Sequence, residues 1–543
     1  MGASPVYING GTPRLRCTQL IRRVPVLQKA STRMTSRAAS PLPDSGTTAE
    51  TPRTPAGGTT ISPASASNKK FARAEKLVLG ILMASAFIVL TNEMLLGVAI
   101  PTLINDLELN ASTAQWLTTG YLLVMAILIP TTGFIMRAFH LRTIYLTSMT
   151  LFIVGTALGA AASGFGLLFA GRIVQAAGSA IFLPLLMSTT MRLVPVERRG
   201  RFMAMVVVVT AVGPALAPGI SGLVLSQLGW RWLFLGMLPL ALLGLALGAV
   251  KLKNSTTREP GKVDLLSVLL SVIGFGALVY GLATMGESIA GHTSTPPLMP
   301  ILVGVVGIAA FAFRQSALQR NGEPLLDLRI FRAGGFVIPL TAMLGLTLTA
   351  FGAGVIYPLV LSSIRGLEPL DIGLLLIPGG ITVAIVSAIG GQVYDRVGPR
   401  PLVISGAITV AISFVLMTRV TSDTPTAYIV AANIIMFVGQ ALMWTPLTTA
   451  ALSALSPALY PYGSAAFGST QQLGGAAGTA VLISAYTLGS NSGATSALTL
   501  EQSVSAAQAA FTAGLVIACL NVLVTLFVRR PSSTNPAMTE NVT

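Results

Sequence analysis

The sequence predicts an all-α integral membrane protein of fourteen transmembrane helices, built as two six-helix halves with two inserted central helices. Three observations predict it. Of the 543 residues, 53% are hydrophobic and only 10% are charged, with a mean hydropathy of +0.76, whereas soluble domains carry about 25% charged residues. Fourteen apolar runs are long enough to cross a hydrocarbon core of about 30 Å, which takes roughly 20 helical residues. Lys and Arg, finally, fall on alternate connections between those runs. A soluble enzyme or nucleic-acid binder is excluded even though the net charge is +16, because that charge is local. Residues 1–76 hold 12 of the 34 basic residues against three acids, Asp44, Glu50 and Glu75.

In chain order, residues 1–75 read as a basic cytoplasmic tail, its first 70 residues disordered because they are rich in Ser, Thr, Pro and Ala and poor in aromatics. Residues 1–30 contain no apolar run of secretory-signal length, and a flexible tail or a start at Met34 ranks ahead of a transit peptide. Apolar spans follow near 77–101, 113–136, 142–163, 165–190, 202–225 and 230–250, the N-terminal half (76–250). The central segment 251–332 carries spans near 264–286 and 298–318. The C-terminal half (333–530) carries spans near 336–362, 371–391, 401–420, 426–452, 463–486 and 506–528, and 531–543 is a second cytoplasmic tail.

Cytoplasmic connections keep positive charge. With a cytoplasmic N-terminus, 30 of the 34 basic residues fall on the inner side, Arg231, Arg365 and Arg419 on the outer side, and Arg172 inside a span; without the tail the ratio is still 18 to 3. Both termini are therefore expected in the cytoplasm. An internal repeat supports the two halves: Gly133 to Arg142 joins spans 2 and 3 as Gly391 to Arg400 joins spans 10 and 11, at an offset of 258, and Gly200 matches Gly463 at 263. Two six-helix halves with a site at their interface are a transporter layout. Two cysteines, Cys17 and Cys519, make no disulfide framework and leave the redox compartment open.

Only Glu93 and Arg172 carry full charge well inside the spans. A charge near the bilayer centre costs about 2.5 kcal/mol or more, so each needs a partner, water or a neutralising proton. Each lies eight residues from the outer end of its span, roughly 12 Å deep at 1.5 Å per residue, which makes an ion pair geometrically possible. The functional reading is that Glu93 binds and releases a coupling proton while Arg172 tunes it; the structural reading is a static pair that fixes spans 1 and 4. Asn92 and Gln175 add polar groups beside them, and for either amide alone an interhelical hydrogen bond is the plainer reading.

Small residues recur every four positions in span 5, as Gly213, Ala217 and Ser221 and as Pro214, Pro218 and Gly222, which predicts a smooth, kinked helix able to pack closely or slide between the halves. Gly474 and Gly478 are the counterpart in span 13. Gly391, Asp395, Arg396, Gly398 and Arg400 predict a cytoplasmic latch of opposed charges on a tight turn. Its first-half counterpart, with Gly133 and Arg142, has Arg137 where Asp395 stands, so that latch is expected to be weak or absent. Trp116, Phe182, Met187, Met443 and Trp444, with Gln440 nearby, are candidates for an apolar, adaptable substrate cavity, although packing or lipid contact is the commoner role for each. His140 and His292 fall on opposite sides, leaving no His-based triad or His-rich metal site, and no GxxxxGK[ST] loop is present for ATP-driven transport.

The stretches Val98 to Pro101, Gln115-Trp116, Tyr121 to Leu123, Gly171 to Gly178, Arg199 to Arg201, Gly229 to Trp232, Leu325 to Phe331 and Gln471 to Gly475 resemble the major facilitator superfamily, in particular its fourteen-span drug:proton antiporters of the EmrB/QacA type. Three departures stand out. Asn92-Glu93 replaces the usual span 1 Asp, an arrangement similar to the lincomycin-resistance branch that passes the carboxylate role to Glu93. Arg137 and His140 replace the usual loop Asp and Gly, and Ala217 replaces the first Gly of the span 5 motif. The resemblance implies a multi-pass plasma-membrane exporter of drug-like amphiphiles driven by proton entry, with no cofactor beyond the proton gradient. Its implied partners are a small-molecule substrate, protons and the lipid bilayer, with no nucleic acid and with a periplasmic partner left open. Export of an endogenous lipid, peptide or secondary metabolite is the alternative, and a non-transporting scaffold or sensor the third.

Overall fold

The computed structural model describes residues 73–109, 111–252, 264–289, 298–321, 324–367, 369–490 and 499–529, all within one compact unit, Lys69–Thr543. The expectations for the N-terminal tail and for 531–543 lie outside them. The described residues are helical, without strands. The first half comprises α1 (Arg73–Asp106), α2 (Ala111–Leu128), α3 (Thr132–Ala138), α4 (Leu141–Ala160), α5 (Phe165–Ser179), α6 (Phe182–Leu193), α7 (Arg199–Gln227) and α8 (Arg231–Lys251). A hairpin, α9 (Leu265–Ile289) and α10 (Leu298–Leu318), leads to the second half: α11 (Gly334–Arg365), α12 (Pro369–Val397), α13 (Pro399–Met417), α14 (Thr426–Ser453), α15 (Tyr460–Gly489) and α16 (Leu500–Thr525).

Among the described residues, twelve of these rods are long and apolar enough to cross a membrane. The α2–α3 pair counts as one of them, broken where Pro130 has no N–H to donate and a 3-10 turn intervenes. The α5–α6 pair is another, interrupted just before Pro184. Two further helices, α7 and α15, are 29 and 30 residues long. α15 is rich in Gly, Ser, Thr and Gln, and 18 of its residues are buried; a helix sheathed by protein has no need of the all-round apolar surface that lipid demands.

The chain ends of the helices define two poles. One carries Arg137, Arg199, Lys251, Arg396 and Arg529 and is called the basic end here. The largest apolar core crosses both halves at that end, joining Leu82, Tyr145 and Met187 to Phe336, Met443 and Tyr462. At the opposite end the core divides into one cluster in the first half around Leu103 and Trp230 and another in the second half around Tyr357 and Phe511. The halves are thus packed together at one pole and have separate cores at the other.

The small-residue stripes pack within each half. A Cβ at Gly213 would overlap Thr91 Oγ1 of α1, Ser221 Oγ donates to the Leu95 carbonyl at 2.9 Å, and Ala217 is fully buried between them. In the second half Gly474 faces Thr347 and Gly478 faces the Leu348 backbone, both on α11. The repeat is therefore structural, a glycine beneath a threonine in each half. It corrects the expectation of a sliding surface between halves for Gly213, Gly474 and Gly478. A Cβ at Gly222 would meet nothing within 4 Å, and the side chains of Pro214 and Pro218 are outside those described, although α7 continues through both.

The α9–α10 hairpin is not peripheral to the halves. α9 packs against both α2 and α15; Ser271 Oγ donates to the Ile127 carbonyl at 3.1 Å, beside the break in α2, and Tyr280 stacks on Trp116 at 5.8 Å. Arg314 of α10 grips Asp264 with two bonds, at 3.0 and 3.1 Å, and these hydrogen bonds hold the Asp264 carboxyl down at about 2. Gln315 Oε1 accepts the backbone N–H groups of Leu325 and Leu326, which anchors the descending linker.

Candidate coupling site and gate

Arg172 is 1% exposed, in a bundle where an unpartnered guanidinium is prohibitively costly. Its acceptors come from its surroundings. Nη1 donates to Gln175 Oε1 at 2.7 Å, one turn along α5, and Nε donates to the Leu117 carbonyl of α2 at 3.3 Å. Gln175 is oriented in turn, donating from Nε2 to Thr156 Oγ1 of α4 at 2.8 Å, and Thr156 Oγ1 donates to the Phe152 carbonyl. The guanidinium also lies over the Tyr121 ring, 4.0 Å from its centroid, a contact worth about 2 kcal/mol when desolvated.

Glu93, half-buried on α1, is within electrostatic reach of both Arg172 and Tyr121. Among the described residues, however, no ion pair of 4.0 Å or less joins Glu93 to Arg172. The cation is caged by neutral acceptors and an aromatic face, and the carboxylate stands nearby without a fixed partner. Asn92 Oδ1, Gln440 Nε2 and Gln471 Nε2 are buried and have no hydrogen-bond partner among the described residues; such groups are normally satisfied by water or ligand.

At the basic end, where the shared core joins the halves and Arg199 of α7 lies 5.6 Å from the Tyr460 ring of α15, two repeat-related polar contacts are unlike each other. Asp395 of α12 accepts the backbone N–H groups of Gly200 at 3.0 Å and Arg201 at 3.2 Å, so its carboxylate caps the first turn of α7, where the free N–H groups and the helix dipole favour an anion. Gly391 and Gly200 allow the approach, since a Cβ on either would overlap the other half. Gly398, with φ of 83°, makes the turn into α13. Arg396 and Arg400 are exposed and make no ion pair or hydrogen bond among the described residues, which corrects the latch of opposed charges: Asp395 pairs across the molecule instead. In the repeat-related position Arg137 Nη1 donates to Tyr462 Oη at 2.5 Å and lies 5.4 Å from that ring, while Gly133 lets Tyr462 pack closely. The first-half latch is therefore present, built from a cation and a tyrosine because a cation cannot cap a helix N-terminus. Arg142 lies outside it, donating to the Ala249 carbonyl of α8 at 2.8 Å within its own half.

Residues 82–479 match the sequence model of the Major Facilitator Superfamily. The chain belongs to that superfamily. Its relatives include an uncharacterized MFS-type transporter, YcnB, of Bacillus subtilis (36% identical, 84% of this chain and 95% of the relative) and the lincomycin resistance protein LmrB of Listeria monocytogenes (34%, 84% and 96%). Among solved structures it is similar in fold to the human organic anion transporter MFSD10, with a TM-score of 0.61 at 15% identity over 83% of this chain and 99% of that one. It is also similar to the proton:xylose symporter XylE, with a TM-score of 0.57 at 17% identity over 84% and 96%. Membership makes this a multi-pass cell-membrane transporter rather than an enzyme.

Within this superfamily member the other candidate cavity residues separate. Phe182 and Met187 are core residues of the first half, Phe182 meeting Tyr145 edge-on at 6.0 Å. Met443 is buried against Gly406, and Trp444 packs beside the same core. Trp116 faces the hairpin. The residues that sequence reasoning missed are Tyr121, Thr156 and Tyr462. Tyr462 was within reach, because the repeat that aligns Gly200 with Gly463 sets the residue before Gly463 opposite the loop carrying Arg137. Tyr121 and Thr156 gave no such signal, since apolar helices do not reveal which neighbour a polar side chain faces.

Proposed function

We propose that the protein is a proton-coupled exporter of drug-like amphiphilic compounds, an antiporter of fourteen spans with both termini in the cytoplasm. The observation that carries this reading is the Glu93–Arg172 site: a carboxylate on α1 near a caged cation, free of a fixed ion pair and so able to exchange a proton without dismantling the bundle. Protonation removes the attraction between Glu93 and Arg172 and changes which conformation the pair favours. The distribution of Lys and Arg makes the basic end cytoplasmic, and the shared core there describes a conformation closed to the cytoplasm. The unpartnered amides of Asn92, Gln440 and Gln471 are the groups assigned to substrate or its water. The relative named lincomycin resistance protein LmrB supports a drug-like substrate. Efflux of a chemically diverse panel from pump-deficient cells tests the reading: export should stop when the proton gradient is collapsed, and export that persists unchanged would overturn it.

A further inference from the structure

A cavity of about 320 Å³ opens at the basic end inside the first half, between α1, α3, α4, α6 and α8 and away from the Glu93–Arg172 site. That volume falls in the range of small-molecule sites. One face of α6 lines it with Leu185, Ser188, Thr189 and Arg192, spaced three and four apart as a single helical stripe. Because α6 runs toward the basic end, an apolar residue is deepest, two hydroxyls follow, and a cation stands at the mouth beside Leu193. Lys251, the last residue of α8, stands at the mouth too, with Glu75 as the acid there.

The hydroxyls decide the matter. Ser188 is 3% and Thr189 7% exposed, yet neither side chain has a hydrogen-bond partner among the described residues, and both residues line the cavity. Lys251 likewise makes no ion pair or hydrogen bond among them. Buried hydroxyls left open beneath a net positive mouth and above an apolar floor match one ligand chemistry. We propose that this cavity binds a single-tailed amphiphile with an anionic head, the tail on Leu185 and its α1 and α4 neighbours, oxygens of the linkage on Ser188 and Thr189, and the anion at Lys251.

Native mass spectrometry of the purified full chain tests this with three probes: lysophosphatidylglycerol, lysophosphatidylcholine and palmitate. Lysophosphatidylglycerol should bind at least tenfold tighter than the zwitterionic lysophosphatidylcholine, and Lys251→Gln should shrink that preference. Comparable binding of palmitate would assign the site to free carboxylates as well as to membrane lipids. Ser188→Phe, which fills the cavity, should weaken all probes at least tenfold. If that variant does not fold, the near-isosteric pair Ser188→Ala and Thr189→Val should still weaken them about three- to tenfold. Equal affinity for the anionic and zwitterionic probes, or unchanged binding by a folded Ser188→Phe protein, would overturn the proposal. So would binding that appears only after residues 1–70 are removed, which would assign the cavity to the chain's own N-terminal segment.

Discussion

Arg172 is held by its hydrogen bonds and by Tyr121, so its partners are expected to matter in different ways. Gln175→Leu removes the acceptor of one charged hydrogen bond and should lower thermal stability by about 1.5–3 kcal/mol, read from detergent-solubilised unfolding. Arg172→Ala should lose transport, and Arg172→Lys should recover only part of it, because an ammonium cannot reproduce planar donation to Gln175 and Leu117 together with stacking on Tyr121. Normal export by Arg172→Ala, with an unchanged pH profile, would leave the site structural. At the gate, Asp395→Asn keeps the shape of the α7 cap and removes its charge. The charge–dipole contribution is about 0.3–1 kcal/mol, so the closed-to-open ratio at the basic end should fall about two- to fivefold, as measured by spin-label distances across the halves.

At the scale of elements, the hairpin is expected to act as a lateral brace, since α9 touches α2 and α15 at once. Cysteines on the faces of α9 that meet these helices should be protected from lipid-phase reagents, while those on outer α10 should react readily; uniform labelling of both helices would contradict the packing. The Asp264–Arg314 pair has a clear pH window. Its carboxyl is held at about 2 against an ordinary 3.8, so the stabilisation is fully present above 3.8, falls as the pH drops toward 2, and is constant across the physiological range. An Asp264→Asn protein should accordingly show a thermal-stability deficit at pH 6 that shrinks as the pH falls from about 3.8 and vanishes only below about pH 2. The spans and the repeat were legible in the sequence because apolar length and Lys/Arg position are local properties. The facing of each stripe was not. Gly213, Ala217 and Ser221 fit a contact with either half, and only packing assigns them to α1. Phe182 and Met187 likewise sit on helices whose sides are nearly all apolar, so no periodic signal separates core from cavity.

For the whole molecule, a core continuous across the halves at the basic end and divided at the other is, on the proposed function, one state of an alternating-access cycle. Gly391→Leu would drive a side chain into Ala204 and the Gly200 backbone. Overpacking of about 1–3 kcal/mol should hold the basic end open, so spin-label distances there should lengthen while the opposite end closes. The central claim is that Glu93 couples this cycle to protons, and reconstituted vesicles with an imposed pH gradient test it most directly. Glu93→Gln should bind substrate and catalyse substrate exchange at near wild-type rates yet fail to accumulate substrate against its gradient. Accumulation by that variant equal to the wild type would contradict the account.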